Sequence, residues 1–282
     1  MSLNMKIFQI YFKPELKQHC DPAFVPYDNT SNPRPELREW DVWDRFYEGM
    51  LSGVLSEELD MWGFVSWKFK EKTNLTGQQV LDHINSNPGY DVYLFNPCIV
   101  NEAVFINSWE QGDIYHPNIS QIGDSFLKKL GHEDYAVREV LLDRNRIVFA
   151  NYVVGNRLFW DKFMAFSRRL FTEADKDAEF KHQVFGAGLS NYAHDKSLPN
   201  FTFLIERLIP TFLDLEDMKV LPYQYTEQTL PAKYQPFYNE IKALSDLKVA
   251  VNKYDSDELF NIWNFYRHRF IQQHQGDAMR LE

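Results

Sequence analysis

Residues 61–72, MWGFVSWKFKEK, decide the fold, because an apolar strand here runs directly into a series of lysines. The first five residues are apolar without interruption, which is typical of a strand buried in a sheet. Lys68, Lys70 and Lys72 then follow. Two interpretations are open: the strand reaches the surface and its alternate residues are solvated, or its carboxyl end places a cation and an aromatic ring in a ligand-binding crevice.

Similar strand patterns alternate with helical patterns along the chain. Further strands are predicted over residues 6–12, 90–97, 146–155 and 218–223, and helices over residues 36–60, 76–87, 101–111, 118–130, 156–172 and 201–211. Residues 20–35 and 174–200 are predicted to be irregular. This alternation predicts an α/β domain over residues 5–223, with a mostly parallel, Rossmann-like sheet flanked by helices. Helices near residues 231–253 and 256–273 predict a C-terminal helical appendage over residues 224–282.

The charge balance excludes a general nucleic-acid-binding protein. The chain has 282 residues and a net charge of −10, from 30 lysines and arginines against 40 aspartates and glutamates. A nucleic-acid surface needs a positive footprint, although a local basic cluster is enough to bind a phosphate.

Aromatic residues make up 16% of the chain, more than a core of this size needs. Exposed rings commonly bind ligands, and sugars are one candidate class.

The cysteines and the apolar runs bear on localisation. Cys20 and Cys98 have no CxxC spacing, and we interpret both as reduced thiols. No signal peptide is visible, and no apolar run reaches the ~20 residues that a membrane span requires. We therefore expect a cytoplasmic protein without a transmembrane segment. The helical appendage is the expected place for a peripheral contact with the inner membrane or for a contact with a second copy of the chain.

Several polar and aromatic residues follow the predicted strands at their carboxyl ends, where ligands bind in open α/β sheets. These candidates are Tyr11 and Lys13 after the first strand, Ser66, Trp67 and Lys68 after the second, Asn96 after the third, and Asn151, Tyr152 and Gly155 along the fourth. Familiar nucleotide-binding, metalloprotease and nucleophile motifs are absent from the sequence. The eight histidines lack the spacing of metal ligands, so a zinc site is not expected.

Two further positions place carboxylates in aromatic or apolar surroundings. Trp109 and Glu110 lie in the segment NSWEQGD, which is either a sugar-binding patch or an exposed helix end. Glu206 and Arg207 lie in the apolar segment NFTFLIERLIPTF, where they indicate either a structural ion pair or a functional site. A glycoside hydrolase that uses Glu110 and Glu206 is a third possibility, which the absence of eight strand–helix units disfavours.

Four segments carry a resemblance to a known family. They are MWGFVSWKFK (61–70), YDVYLFNP (90–97), ANYVVGNRLFWDKFMAF (150–166) and FTFLIERLIPTFL (201–213). In this order and spacing, over about residues 36–215, they resemble bacterial glycosyltransferases of capsule and lipopolysaccharide synthesis, from a poorly characterised family with a GT-A-like fold. The resemblance implies transfer of a sugar from a nucleotide-sugar donor to a saccharide or lipid-linked acceptor.

The resemblance also implies roles for single residues. Ser66, Trp67 and Lys68 stand where most GT-A enzymes carry Asp-x-Asp, the motif that holds a divalent metal against the diphosphate. This departure puts metal dependence in doubt, because Lys68 can neutralise the leaving diphosphate directly, and it leaves Asp91 as a weak metal candidate. The other implied roles are donor-sugar contact by Asn151 and Gly155, acceptor contact by Trp109 and Glu110, catalysis by Glu206, and phosphate binding or orientation of Glu206 by Arg207. Tyr11, Lys13 and Asn96 are candidates for donor binding from their positions at strand ends.

An alternative stays open at this point. The missing Asp-x-Asp also fits a non-catalytic carbohydrate-binding or assembly protein on a degenerate glycosyltransferase scaffold. This alternative predicts glycan binding without nucleotide binding, whereas the transferase predicts both.

Overall fold

The computed structural model describes residues 3–54, 58–186 and 198–274. Its strands are β1 (Met5–Tyr11), β2 (Val25–Asp28), β3 (Met61–Ser66), β4 (Val92–Leu94), β5 (Val153–Asn156) and β6 (Val220–Pro222). Its α-helices are α1 (Arg38–Leu51), α2 (Phe69–Thr73), α3 (Gly77–Ser86), α4 (Ile99–Val104), α5 (Ser108–Tyr115), α6 (Ile119–Lys129), α7 (Arg157–Lys176), α8 (Ala178–Phe185), α9 (Phe201–Leu215), α10 (Tyr238–Tyr254) and α11 (Asp257–His274). The predicted α/β fold, a mostly parallel sheet flanked by helices, is confirmed.

The strands form one sheet in the order β2-β1-β3-β5-β4-β6. β1 pairs in parallel with β2 and β3, and β4 pairs in parallel with β6, whereas β5 runs antiparallel to both of its neighbours, β3 and β4. The carboxyl ends of the five parallel strands and the amino end of β5 therefore meet at one edge of the sheet. We call this edge the carboxyl edge.

Strand β3 shows how the sheet is covered on both faces. Successive side chains of a strand point to opposite faces. Trp62 accordingly stacks on Trp160 of α7, with ring centroids 6.0 Å apart, while Val65 packs on the other face with α2 and α3 residues. At Gly63 an added Cβ would lie 2.3 Å from the carbonyl oxygen of Val153. Only glycine at this position lets β5 pair so closely with β3.

The C-terminal helices pack against α4. Their shared hydrophobic cluster includes Val104 of α4, Leu244 of α10 and Trp263 of α11, and the indole of Trp263 donates to the carbonyl oxygen of Ala103 at 3.0 Å. On its outer side α11 leaves three large apolar residues exposed, namely Ile262, Phe265 and Tyr266.

Several of the predicted elements were wrong in extent. The helix predicted over residues 36–60 ends at Leu51, because Gly53 adopts a positive φ of 69° that stops it. The helix predicted over residues 101–111 is two helices, because the side chain of Asn107 accepts hydrogen bonds from the backbone N–H groups of Trp109 and Glu110 and so starts α5. The strand predicted over residues 146–155 is extended only from Val153, because Ala150 and Asn151 have positive φ angles of 62° and 58°. Both segments predicted to be irregular contain an element, β2 in the first and α8 in the second.

Candidate functional site

A hydrogen bond at the carboxyl edge joins two of the residues that the sequence nominated. The hydroxyl groups of Ser66, at the end of β3, and Tyr152, just before β5, lie 2.6 Å apart. Because β5 is antiparallel, its amino end rather than its carboxyl end meets Ser66. Tyr152 is only 3% exposed, so the bond satisfies a hydroxyl group that has left water.

The pKa of Tyr152 is influenced by nearby carboxylates. Burial raises the pKa of the Tyr152 phenol, the hydrogen bond from Ser66 lowers it, and the negative charges of Glu39 and Glu206 raise it further. Glu39 of α1 and Glu206 of α9 therefore lie within electrostatic range of the phenol. The Glu206 side chain is 41% exposed, and its carboxylate lies 3.8 Å from Nη1 of Arg207. The charge of a solvent-accessible carboxylate thus acts on the phenol of the Ser66–Tyr152 pair.

The backbone before Tyr152 is strained. Ala150 and Asn151 both adopt left-handed conformations without being glycine, which is costly and is often concentrated at functional sites. Asn151 is 3% exposed, and its Oδ1 has no hydrogen-bond partner among the residues that the structure describes. The strain places a buried amide oxygen beside Tyr152, where a ligand could supply the missing donor.

Cations lie at the β1–β3 end of the carboxyl edge. Lys13 and Lys17 are exposed on and beside the 3-10 helix Pro14–His19 that follows β1. Lys68 begins α2 after β3, and its ammonium lies 5.1 Å from the ring centroid of Trp67. No hydrogen bond or ion pair to this ammonium is found within the described ranges. An anionic group such as a phosphate can therefore bind the Lys68 ammonium without breaking a pair between described residues.

The three lysines that follow β3 differ in their exposure. Lys70 and Lys72 are exposed on α2, as a solvated surface predicts, whereas Lys68 and Trp67 are half-buried. The backbone N–H of Trp67 donates to Ile10 at 3.1 Å, which holds the end of β3 against β1. Only the first lysine of the series is therefore partly buried.

Tyr11 and Asn96 lie at the carboxyl edge but mainly support it. Tyr11 is buried at the end of β1 beside Asp28, and burial, followed by its hydrogen bond to Asp28, raises the pKa of the phenol. The Oδ1 of Asn96 accepts the backbone N–H groups of Cys98 and Phe149 at 3.0 and 3.2 Å. Asn96 therefore fixes the start of α4 and the strained segment before Tyr152.

Arg207 and Trp109 are placed inside the protein. Arg207 is 3% exposed, and its guanidinium donates to the carbonyl oxygens of Ser108 and Phe203 and to Oε1 of Gln111. Trp109 is 1% exposed, with its indole donating to Thr211 at 2.9 Å. Both side chains join α5 to α9, and neither reaches a surface where it could touch phosphate or acceptor.

Glu110, Gly155 and Asp91 also lie away from the shared site. Both oxygens of Glu110 accept hydrogen bonds from Arg267 of α11, at 3.0 and 2.9 Å. This carboxylate therefore holds the C-terminal helices against α5 and is not placed to bind a sugar. Gly155 pairs with Trp62 and Val92, toward the opposite edge of the sheet.

Asp91 lies at that opposite edge too, before β4. Its carboxylate accepts from Asn156 at 2.8 Å and from the backbone of Lys219 at 2.9 Å. These bonds tie three strands together. In the described part of the chain no group of three or more His, Cys, Asp or Glu side chains could hold a metal ion.

Sequence reasoning missed two residues of the site. Gln9 is buried in β1, where its amide donates to the Ser66 carbonyl at 3.2 Å and accepts from the Asp21 N–H at 2.6 Å. One polar residue inside the apolar run KIFQIYF was the available signal. Glu39 gave no signal, because an exposed glutamate in the first turn of a helix is ordinary.

Comparison with known proteins adds no further constraint on the site. No model of a protein family matches the chain, and neither characterised proteins nor solved structures give a match. Among the described helices, none combines the length and the apolar character needed to cross a membrane.

Proposed function

We propose that the chain is a glycosyltransferase of the GT-A type that moves a sugar from a nucleotide-sugar donor to a saccharide acceptor in the synthesis of a cell-surface polysaccharide. The observation that carries the proposal is the arrangement at the carboxyl edge. Lys68, which has no hydrogen-bond or ion-pair partner among the described residues, lies beside the Trp67 ring after β3, and the charge of the exposed Glu206 acts on the phenol of the neighbouring Ser66–Tyr152 pair.

The donor would bind at the cationic end of the carboxyl edge. Lys68, with Lys13 nearby in the sheet order, would hold the diphosphate, and Trp67 offers a ring face for the base or the sugar. In this proposal the ammonium of Lys68 supplies positive charge that a divalent metal supplies elsewhere. Asn151 Oδ1, which has no partner among the described residues, would accept a hydrogen bond from a hydroxyl group of the donor sugar.

Glu206 would act at the acceptor. In an inverting reaction it takes the proton of the acceptor hydroxyl while that oxygen attacks the anomeric carbon. The bond from the anomeric carbon to the diphosphate breaks, and the nucleoside diphosphate leaves against Lys68. In a retaining reaction Glu206 would instead stabilise the positive charge that develops on the sugar ring.

The test measures donor binding and transfer separately. Calorimetric titration with UDP-, GDP- and dTDP-sugars, with and without Mn²⁺, should identify one donor that binds in both conditions. Lys68→Ala should weaken its binding roughly tenfold or more, because a charge-assisted hydrogen bond is lost. Glu206→Gln should keep donor binding and slow transfer by about 10²–10⁴-fold.

Lys70→Ala is the matched control, because Lys70 is exposed on the same short helix. It should leave the affinity for the donor unchanged. Absence of binding by every donor contradicts the proposal, and so does an equal loss in Lys68→Ala and Lys70→Ala. Binding of glycans together with silence toward all nucleotide-sugars would support the non-catalytic alternative.

A further inference from the structure

A second place at the carboxyl edge has the features of a binding site. A cavity of about 100 Å³ lies beyond the ends of β4 and β6, and α4 and α10 close over it. Glu102, Arg144, Tyr225, Lys242, Ser245 and Asp246 are among its lining residues. It therefore lies between the sheet and the C-terminal helices, at the end of the edge opposite Lys13 and Lys68.

Three polar atoms in the cavity lining are buried without a hydrogen-bond partner in the described part of the chain. They are Oε1 of Glu102, Nε of Arg144 and Oη of Tyr225. Glu102 is only 4% exposed. Buried polar groups in folded proteins are nearly always paired with protein, ordered water or ligand. An acceptor, a donor and a hydroxyl that can act as either thus line the same space.

The unpaired groups are held in place by neighbours that are already paired. The other end of the Arg144 guanidinium donates to Asp246 at 2.6 Å and to Ser245 at 3.2 Å. Lys248, close to Glu102, is occupied by two backbone carbonyl oxygens, those of Glu102 and Phe105. A ligand would therefore meet positioned groups and would not have to displace an ion pair.

The composition of the lining indicates the class of ligand. The Asp246 carboxylate pairs with both Arg144 and Lys242, so these cations are already compensated, and burial raises the pKa of Glu102, which disfavours a charged group beside it. The cavity therefore does not favour a charged ligand of either sign. Tyr223, Tyr225, Leu230 and Ile241 add aromatic and apolar surface. Neutral ring molecules with many hydroxyl groups match this lining. Their hydroxyls can donate to and accept from the polar atoms, while their C–H faces pack on the aromatic rings.

We infer that this cavity binds an uncharged, polyhydroxylated molecule the size of one sugar ring. A ligand hydroxyl donates to Oε1 of Glu102, another oxygen accepts from Nε of Arg144, and Tyr225 closes the network from its hydroxyl group. A water molecule needs about 10–15 Å³ of a cavity measured in this way, so the space holds several waters or one small ring. The inference does not rest on the transferase activity, since it uses none of the residues assigned to donor binding.

The experiment uses saturation-transfer NMR and calorimetry on the full chain. Glucose, galactose and mannose are the probes, and glucuronate and glucosamine are charged analogues of the same ring. At least one neutral hexose should bind, and both charged analogues should bind at least about tenfold more weakly. Tyr225→Phe should weaken hexose binding about tenfold without lowering the melting temperature, because the hydroxyl has no hydrogen-bond partner among the described residues.

Two variants make the result specific to the cavity. Glu102→Gln keeps the side-chain shape and should also weaken binding, whereas Tyr254→Phe, at the exposed end of α10, should not. Lys68→Ala should leave hexose binding unchanged. The inference is overturned if no neutral hexose binds, if a charged analogue binds as tightly, or if Tyr225→Phe and Glu102→Gln both retain full affinity. A cavity that holds only water gives the first of these results.

Discussion

At the β1–β3 end of the carboxyl edge the lysines are exposed or half-buried and Lys68 has no described partner. At the β4–β6 end the opposite holds. Lys248 is 0% exposed, and its ammonium donates to the carbonyl oxygens of Glu102 and Phe105 at 2.7 and 2.6 Å. The lysines at the β1–β3 end thus remain hydrated, whereas Lys248 at the β4–β6 end pairs with carbonyl oxygens inside the protein.

The difference follows from the cost of moving a charge out of water. A half-exposed ammonium keeps most of its hydration, so it needs no protein partner and can exchange water for a phosphate. A buried ammonium must be paired with acceptor groups of the protein, and removing the ammonium leaves those acceptors buried without a partner. We therefore expect substitutions at the first end to change binding and substitutions at the second end to change stability.

Lys248→Ala should give the largest loss of stability. It leaves two carbonyl oxygens and the Glu102 carboxylate without a cation, which should lower the free energy of unfolding by about 3–5 kcal/mol. Urea denaturation measures the change. Lys242 is exposed on the same helix and, among the described residues, pairs only with Asp246, so Lys242→Ala should cost no more than about 1 kcal/mol. Equal losses in the two variants would remove the distinction between buried and solvated cations.

Arg267→Ala should give the next largest effect. Arg267 is 6% exposed and joins α11 to Glu110 and to the carbonyl oxygen of Val104 at 3.0 Å. Loss of these charge-assisted bonds should cost about 2–3 kcal/mol, and hydrogen exchange should show earlier opening of α11. Arg269→Ala, exposed nearby, should stay within about 0.5 kcal/mol of the parent protein. Unchanged protection of α11 in Arg267→Ala would contradict the assignment.

The dependence of stability on pH should also distinguish the two ends. Burial lowers the pKa of Lys248 from 10.5 to about 8. Between these values the unfolded chain binds more protons than the folded chain at this residue, so its contribution to stability rises as pH increases from about 8 toward 10.5.

The slope from this one group is at most about 1.4 kcal/mol per pH unit. Unfolding by urea at pH 7, 8, 9 and 10, compared between the parent protein and Lys248→Met, measures it. The difference in unfolding free energy between the two proteins should grow over this range in favour of the parent. A constant difference would mean that Lys248 titrates at its ordinary pKa.

Ser66→Ala should have a smaller effect, at the boundary between the two ends. It leaves the buried Tyr152 hydroxyl without its partner at 2.6 Å and should cost about 1–2 kcal/mol. Because removing both partners avoids an unpaired group, the double variant Ser66→Ala with Tyr152→Phe should recover part of this loss. Thermal unfolding of the two single variants and the double variant tests the coupling. Additive losses would show that the two hydroxyls do not interact.

Lys68→Ala should have the smallest effect on stability. Among the described residues its ammonium contacts only the adjacent Trp67 ring, so the free energy of unfolding should change by less than about 0.5 kcal/mol. The same variant should lose donor affinity, as proposed above. A stability loss above about 1 kcal/mol would place Lys68 among the structural cations instead.

Strand β3 and the carboxyl edge were predictable to different degrees. The apolar run that ends at Ser66 predicted a buried strand with a polar exit, and β3 ends at Ser66. The side chains at that exit depend on β5, whose direction could not be predicted, because an apolar run reads the same in both directions. For this reason Gly155, expected at the ligand, lies toward the opposite edge, while Asn151 lies at the carboxyl edge.

The charged residues show the same division. The segment FTFLIERLIPTF indicated that Glu206 and Arg207 were unusual, but neighbours in sequence on a helix point in different directions. Glu206 faces solvent near Tyr152, and Arg207 points into the interface with α5. Glu110 and Trp109 were likewise noticed as a pair, yet one binds the appendage and the other fills the core.

The amino-acid sequence by itself determined the alternation of strands and helices and the presence of lysines behind a buried strand, because hydrophobic periodicity and helix caps act over a few residues. Tertiary structure alone decided which of those lysines is placed beside a ring, which carboxylates are already paired, and where polar atoms are left without partners. The physical reason is that burial and pairing depend on residues far apart in the chain, and these meet only when the sheet order and the direction of β5 are set.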